Sequence, residues 1–287
     1  VSAGVARDHG RTVVHAWGVS GSNVPVESVT VESVDGVRLD AAVHTTSGPV
    51  RGTVLLVHGI TVDMDEGGGM FVRLAGQLAA AGFNVVRFSF RGHGNSGGTQ
   101  RGVTVAGECL DLEAAVQLVE ERFRGRFSIV AASFGAVSTV LSLPWLATRL
   151  DRLVLWNPVL DLRATFLEPE LSWGKENFGP SQQKLLHENG ALVVDGEFEL
   201  GRVLFDEFTH YDPLAGFLDS TVPSLVVHGD RDTAVSYEIA ARAAQSRPHT
   251  MLHTVVGSDH GFDSREREDE AIAMTVAWLV EQIALSS

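Results

Sequence analysis

Only one cysteine, Cys109, occurs in the 287 residues, so no internal disulfide can form and a reducing, cytoplasmic setting is expected. Basic residues are also scarce. Against 36 Asp and Glu stand 22 Lys and Arg, a formal net charge of −14, with no Lys/Arg cluster to make a local exception. A polyanion would be repelled, which excludes nucleic acid as an expected partner. No apolar run approaches the roughly 18 residues of a membrane span, and no helix pattern shows a basic amphipathic face, so no membrane partner is expected. The opening stretch VSAGVARDHGRTVVHAWG lacks a basic start followed by an apolar region, so it is not expected to act as a leader. Metal-ligand spacing is missing too: the eleven histidines are dispersed, and His187-Glu188 has no second histidine four residues after His187. Neither a metal nor a cofactor is expected.

What is present is material for a core, since 44% of the residues are hydrophobic and the chain is long enough for one large domain. Residues 1–25 show no clear period and are treated as an amino-terminal arm. VESVTVES and VRLDAAVH are β-rich runs around a VDG turn, where Gly36 suits positive φ, and they predict an opening hairpin. After them TVLLVHG (53–59), NVVRFSF (84–90), FSIVAAS (127–133), RLVLWNP (152–158) and SLVVHGD (224–230) are short apolar runs, mostly separated by segments of helical period. TMLHTVVG and a closing helix within EDEAIAMTVAWLVEQIAL end the pattern. Near-continuous apolar strands alternating with helices predict an α/β fold, a mostly parallel sheet covered on both faces. Cys109, spaced with Leu112, Val116 and Val119, is expected on the buried stripe of one such helix.

The rhythm breaks between Val159 and Asp219. ALVVDGEFEL predicts a hairpin around Asp195-Gly196, flanked by segments that carry Trp173, Phe178, Phe205, Phe208 and Tyr211. An insertion this long predicts a cap (159–219) over the carboxyl ends of the strands, with 26–158 and 220–287 as the core. The aromatic residues are either contacts for a ligand or the cap's own core.

VAASFGAV places Ser133 between small residues directly after an apolar strand. A serine on a sharp strand-to-helix turn needs small neighbours two before and two after it, and Ala131 and Gly135 meet that demand. The usual form is G-x-S-x-G, from which Ala131 departs; a plain helix cap is the other reading of the same turn. VVHGDRDTAV sets Asp230 and Asp232 just past a strand, and VVGSDHGFD sets His260 past the last one. In a parallel sheet these ends share one edge, so Ser133, an Asp and His260 converge in the order Ser, Asp, His. RGHGNSGG also spells G-x-G-x-x-G with Gly92, Gly94 and Gly97, but TQRGVTVAG delays the helix and the next strand ends in AAS. It reads as a tight loop and not as a dinucleotide site.

From about residue 26 to 285 the chain resembles the α/β-hydrolase superfamily, and within it the serine esterases that include feruloyl and cinnamoyl esterases. VLLVHGI, RGHGNSGG, AASFGA, VVHGDRDTAV and GSDHGF carry the resemblance, in the family's order. It implies Ser133 as nucleophile, His260 as general base and acid, and Asp232 as the acid that orients it, with Asp230 a turn residue. It also implies an oxyanion hole of the Ile60 and Phe134 backbone N–H groups, with His58 supporting the loop. Trp156 and Trp173 are expected to contact substrate. The expected reaction is hydrolysis of a small-molecule carboxylic ester through an acyl-enzyme. Thioester, lactone or amide cleavage and acyl transfer use the same residues, and a ligand-binding protein with an idle triad is the reading from another class.

Overall fold

The computed structural model describes residues 25–284, so the amino-terminal arm lies outside the described residues but for its last position. The opening hairpin pairs β1 (Val26–Glu32) with β2 (Arg38–His44), turning at Gly36 with φ +85°. β2 lies antiparallel to β4 (Phe83–Phe88). From β4 onward the pairing is parallel, through β3 (Gly52–Val57), β5 (Phe127–Ala132), β6 (Leu150–Trp156), β9 (Ser224–Gly229) and β10 (Thr250–Val255), in the order β1-β2-β4-β3-β5-β6-β9-β10. The central strands β3, β4, β5 and β9 are apolar on both sides because helices cover both faces.

The connections create the site. After β3 the chain forms α1 (Met70–Ala80), whose Phe71 and Leu74 pack on one face, and β4 then returns on one side of β3. After β4 it forms α2 (Val105–Arg122), whose Leu112 and Val116 pack on the other face, and β5 returns on the opposite side of β3. The loops after β3 and β5 therefore diverge at one point of the sheet edge, which leaves a crevice between them. Thr104 caps α2 by accepting from the Gly107 N–H at 2.9 Å. Cys109 is half-buried, and burial first of all pushes its thiol up to about 12, which leaves it unreactive.

α3 (Gly135–Leu146) follows β5, α8 (Tyr237–Ser246) joins β9 to β10, and α9 (Arg265–Ala284) closes the chain. Between β6 and β9 the chain leaves the sheet. It forms α4 (Ser172–Phe178), α5 (Pro180–Asn189), the hairpin β7 (Ala191–Val194) and β8 (Phe198–Gly201), then α6 (Arg202–Glu207). The loop is Asp195–Glu197 between the paired Val194 and Phe198; Asp195 and Gly196 hold φ of +52° and +76°, and Glu197 N–H closes the turn on Val194 O at 3.2 Å. α7 (Pro213–Asp219) differs from the expected extent of the insertion. Its Phe217 belongs to the main core, and a Cβ on Gly216 would stand 2.9 Å from Val140 O of α3, so this helix rides on α3 and the insertion's own packing ends before it. No described helix is long and apolar enough to cross a membrane.

Candidate active site

Ser133 sits where β5 stops and α3 has not begun, with φ +48°, a left-handed conformation that only a sharp turn imposes on a non-glycine residue. Its N–H donates to Trp156 O at 2.8 Å, and its carbonyl accepts from Val159 N–H at 3.1 Å, which ties the turn to the loop after β6. The small neighbours are required by contact. A Cβ on Gly135 would lie 2.3 Å from His58 O, and one on Gly59 would lie 3.1 Å from the Ser133 Cβ. Ala131, where the usual pattern has glycine, carries its methyl group buried in the core.

The loops after β9 and β10 are pressed together because Gly229 has no side chain: a Cβ there would stand 2.4 Å from Ser258 O. Arg231 N–H donates to that same carbonyl at 3.0 Å. The result sets Asp232 beside His260, with His260 Nδ1 2.8 Å from Asp232 Oδ2, and turns His260 Nε2 to Ser133 Oγ at 3.0 Å. Asp232 Oδ1 accepts from the N–H groups of Ala234 and Val235, and Oδ2 is also 3.1 Å from His228 Nε2. Burial pushes the Asp232 carboxyl up, but the His260 charge and the bonds from both histidines outweigh it and hold the group well below the usual carboxylate range. Burial pushes His260 down, and the Asp232 carboxylate, with Glu66 and Asp259 behind it, raises it above the ordinary histidine value. Asp230 binds the Gly257 N–H at 2.5 Å, a turn contact away from the imidazole.

The loop after β3 carries His58, Gly59 and Ile60. His58 Nδ1–H donates to Gly59 O at 2.6 Å while Nε2 accepts from Phe90 N–H at 2.9 Å, so both ring nitrogens are used in bracing this loop against the one after β4. Burial lowers its proton affinity well below the ordinary value. Glu66 adds a second brace. It holds φ +59° and accepts from Gly59 N–H at 2.8 Å, and its own burial raises its carboxyl. The Ile60 and Phe134 N–H groups meet no acceptor among the described residues.

A cavity of about 300 Å³ opens on Ser133 and His260, walled by Ile60, Val159, Phe166, Trp173 and Val235. Trp173 lines it, its indole N–H donates to Asp195 Oδ1 at 3.2 Å, and its backbone N–H donates to Thr233 O at 3.1 Å. Contrary to expectation, Trp156 does not line it. It is 1% exposed, donates from Nε1 to Thr275 of α9 at 2.9 Å and packs between Phe71 and Phe262. Successive residues of a strand face opposite ways, and Trp156 shares its face with Val154 on the α1/α9 side, away from the cavity. Phe178, Phe205 and Phe208 form an aromatic cluster with Phe166 inside the insertion, and Tyr211 flanks it half-buried. RGHGNSGG is a tight loop, with Gly92, Gly94 and Gly98 at positive φ, followed by one 3-10 turn (Gln100–Gly102) and no α-helix until Val105.

Glu66 carries no motif, and His228 lies within VVHGDRDTAV at a position to which the resemblance assigns no role. His228 leaves one signal, a histidine directly after the buried Leu225, Val226 and Val227 of β9, because a buried polar side chain needs a partner. Glu66 lies in an irregular loop, where nothing local announces its contact with Gly59. Among the described residues no group of three or more His, Cys, Asp or Glu side chains is placed to hold a metal ion.

The profile of the serine aminopeptidase S33 family matches residues 48–197, just over half of the chain. No curated protein matches the chain by sequence. Among solved structures it is similar to Est1E from Butyrivibrio proteoclasticus with ferulic acid bound, at 21% identity and a TM-score of 0.74 over 88% of this chain and 99% of that one. A Pyrococcus furiosus esterase, Pf2001, is similar at 20% identity and a TM-score of 0.68 over 95% and 98% of the two chains. A putative hydrolase from Agrobacterium vitis is similar at 23% identity and a TM-score of 0.71 over 89% and 99%. With the sheet order, the turn at Ser133 and the family match in agreement, the chain belongs to the serine aminopeptidase S33 family and is an enzyme of the α/β-hydrolase class.

Proposed function

We propose that the protein hydrolyses a small carboxylic ester through an acyl-enzyme on Ser133. The observation that carries this reading is the unbroken chain from Ser133 Oγ to His260 Nε2 at 3.0 Å and from His260 Nδ1 to Asp232 Oδ2 at 2.8 Å, at the floor of an open cavity. A neutral serine is a weak nucleophile, so His260 takes the hydroxyl proton as Oγ attacks the acyl carbon. The carbonyl π electrons move onto oxygen, and the resulting oxyanion is held by the Ile60 and Phe134 N–H groups. A preorganised donor of this kind is worth roughly 3 kcal/mol. As the oxyanion collapses, His260 returns the proton to the departing alkoxide, and the alcohol leaves. Water then repeats the sequence on the acyl-enzyme, releasing the acid and restoring Ser133. Asp232 keeps the imidazole in its useful tautomer and balances the imidazolium charge throughout.

The insertion serves as the cap, presenting Phe166 and Trp173 to the acyl or alcohol group. The neighbour Pf2001, called an esterase, and Est1E, which holds ferulic acid, support an oxygen ester as substrate. The aminopeptidase name of the family favours a second reading, an amide or aminoacyl substrate cleaved through the same acyl-enzyme. A lone cysteine without a disulfide fits a cytoplasmic reaction.

The test is a graded panel of p-nitrophenyl esters, feruloyl esters, acyl thioesters and aminoacyl anilides, assayed with wild type and Ser133→Ala. Ester turnover that disappears in the variant is the expected result. Turnover of anilides alone would move the reading to amide cleavage. Ester turnover that survives in Ser133→Ala would overturn the nucleophile.

A further inference from the structure

Beyond Ser133, His260 and Asp232 stands another imidazole in contact with the acid. His228 closes β9, four residues before Asp232, and is 0% exposed. Its Nε2 lies 3.1 Å from Asp232 Oδ2 and 3.3 Å from Val235 O. Both of those neighbours are acceptors, so the hydrogen of this ring nitrogen is the one that makes the contacts, and Nε2 must carry it. The opposite nitrogen, Nδ1, is buried and has no hydrogen-bond partner among the described residues. The tautomer thus follows from the surroundings, with the N–H directed at Asp232.

Asp232 Oδ2 therefore receives two imidazole donors, one from His260 at 2.8 Å and one from His228, while Oδ1 receives two backbone donors. The charged and titratable groups facing this assembly are His260 and Asp259 from the loop after β10 and Glu66 from the loop after β3; the Tyr237 ring of α8 stands edge-on to His228 at 5.6 Å. Each donor on a carboxylate spreads its charge and weakens its pull on the next proton. A carboxylate held only by His260 and the backbone would rotate more freely and would bind the imidazolium more tightly.

We propose that His228 is a positioning residue of this site: its Nε2–H fixes the orientation of Asp232 from the core side and limits how strongly Asp232 draws His260 toward its protonated form. The consequence for hydrolysis rests on the acyl-enzyme reading, but the effect on His260 does not require any substrate. The residue does not touch the nucleophile and is not among those that wall the cavity; its polar contacts are Asp232 and the Val235 carbonyl, and it acts on His260 through Asp232.

Two measurements separate this role from simple packing. In wild-type protein with ¹⁵N-labelled histidine, NMR reads which nitrogen of each ring is protonated; His228 protonated on Nε2 is expected, and protonation on Nδ1 alone overturns the proposal whatever any variant does. In His228→Phe and His228→Leu the donor is lost, and the His260 titration midpoint moves up. Where ester turnover is present, kcat/KM at pH 6 relative to its own plateau drops by about threefold or more. His228→Gln restores an N–H near the Nε2 position and returns the midpoint and the acid limb toward wild type. A purely structural residue would lower the melting temperature and leave the titration in place, so an unmoved or lowered midpoint in a folded donor-free variant overturns the proposal. A moved midpoint with no turnover by any protein, wild type included, sinks the ester reading and leaves the positioning role standing.

Discussion

At the elbow the positions of atoms are imposed by the main chain: Ser133 is bonded through its own N–H and carbonyl, and Gly135 and Gly59 are small because backbone or the Ser133 Cβ lies against them. In the insertion the rings of Phe166, Phe178, Phe205 and Phe208 do the holding, at centroid separations of 4.8 to 5.8 Å. Main-chain contacts tolerate almost no change in residue type, whereas an apolar cluster accepts many of about the right volume. On the proposed function, the contrast teaches that reaction chemistry and substrate choice sit in parts of this molecule with different tolerance. The elbow should be intolerant and the insertion adjustable.

Ways to break that contrast begin with the largest effect. Ser133→Ala should lower kcat by about 10⁶-fold, as loss of a nucleophile does in such sites, while the melting temperature stays near wild type because only an oxygen is removed. Asp232→Asn should lower kcat by roughly 10⁴-fold, since an amide presents the wrong partner to the His260 N–H; stopped assays at high enzyme concentration would read it. Next comes Gly135→Ala, in which a methyl group has no space beside His58 O. A cost of about 3 kcal/mol or more is expected in denaturant unfolding, and unchanged stability would show that the elbow can relax.

A pH profile sharpens the same comparison. His260 is raised by Asp232, and its neutral form is the base, so kcat/KM should fall as pH drops through that raised value. The acid limb therefore begins above the ~6.5 of an ordinary histidine. An acid limb at or below the ordinary value would contradict the coupling. Smallest is Trp173→Ala in the insertion: about a tenfold change in the ratio of kcat/KM between bulky and small acyl groups, with little effect on the smallest ester. Equal loss on all esters would mean that Trp173 supports the loop of Thr233 more than it selects substrate.

Much of this was legible in the chain itself. Strands such as TVLLVHG and SLVVHGD announce a two-sided buried sheet, and the small residues around Ser133 announce a turn whose sterics are local. The double positive φ at Asp195-Gly196 follows from its residue types. Trp156 was not legible: its place at a strand end near the site suggests a substrate contact, yet the alternation of the strand turns it toward Thr275 on α9. Nor was the extent of the insertion, because α7 carries an ordinary helical pattern and only its fit on α3 through Gly216 assigns it to the core. Glu66 acts on the Gly59 amide across an irregular loop, and His228 acts on a carboxylate of its own motif, four residues on, that is also bound by His260 from another loop.

By itself the sequence determined the alternation of strands and helices, the sharp turn at Ser133 and the order of Ser, Asp and His, since each depends on residues close together or on the polarity of a parallel sheet. Only the tertiary structure decided which side chains share the cavity and which way the Trp156 ring of β6 turns. Those depend on contacts between loops distant in sequence, such as the approach of the β9 and β10 loops that Gly229 permits, and no local pattern encodes the distance at which two loops meet.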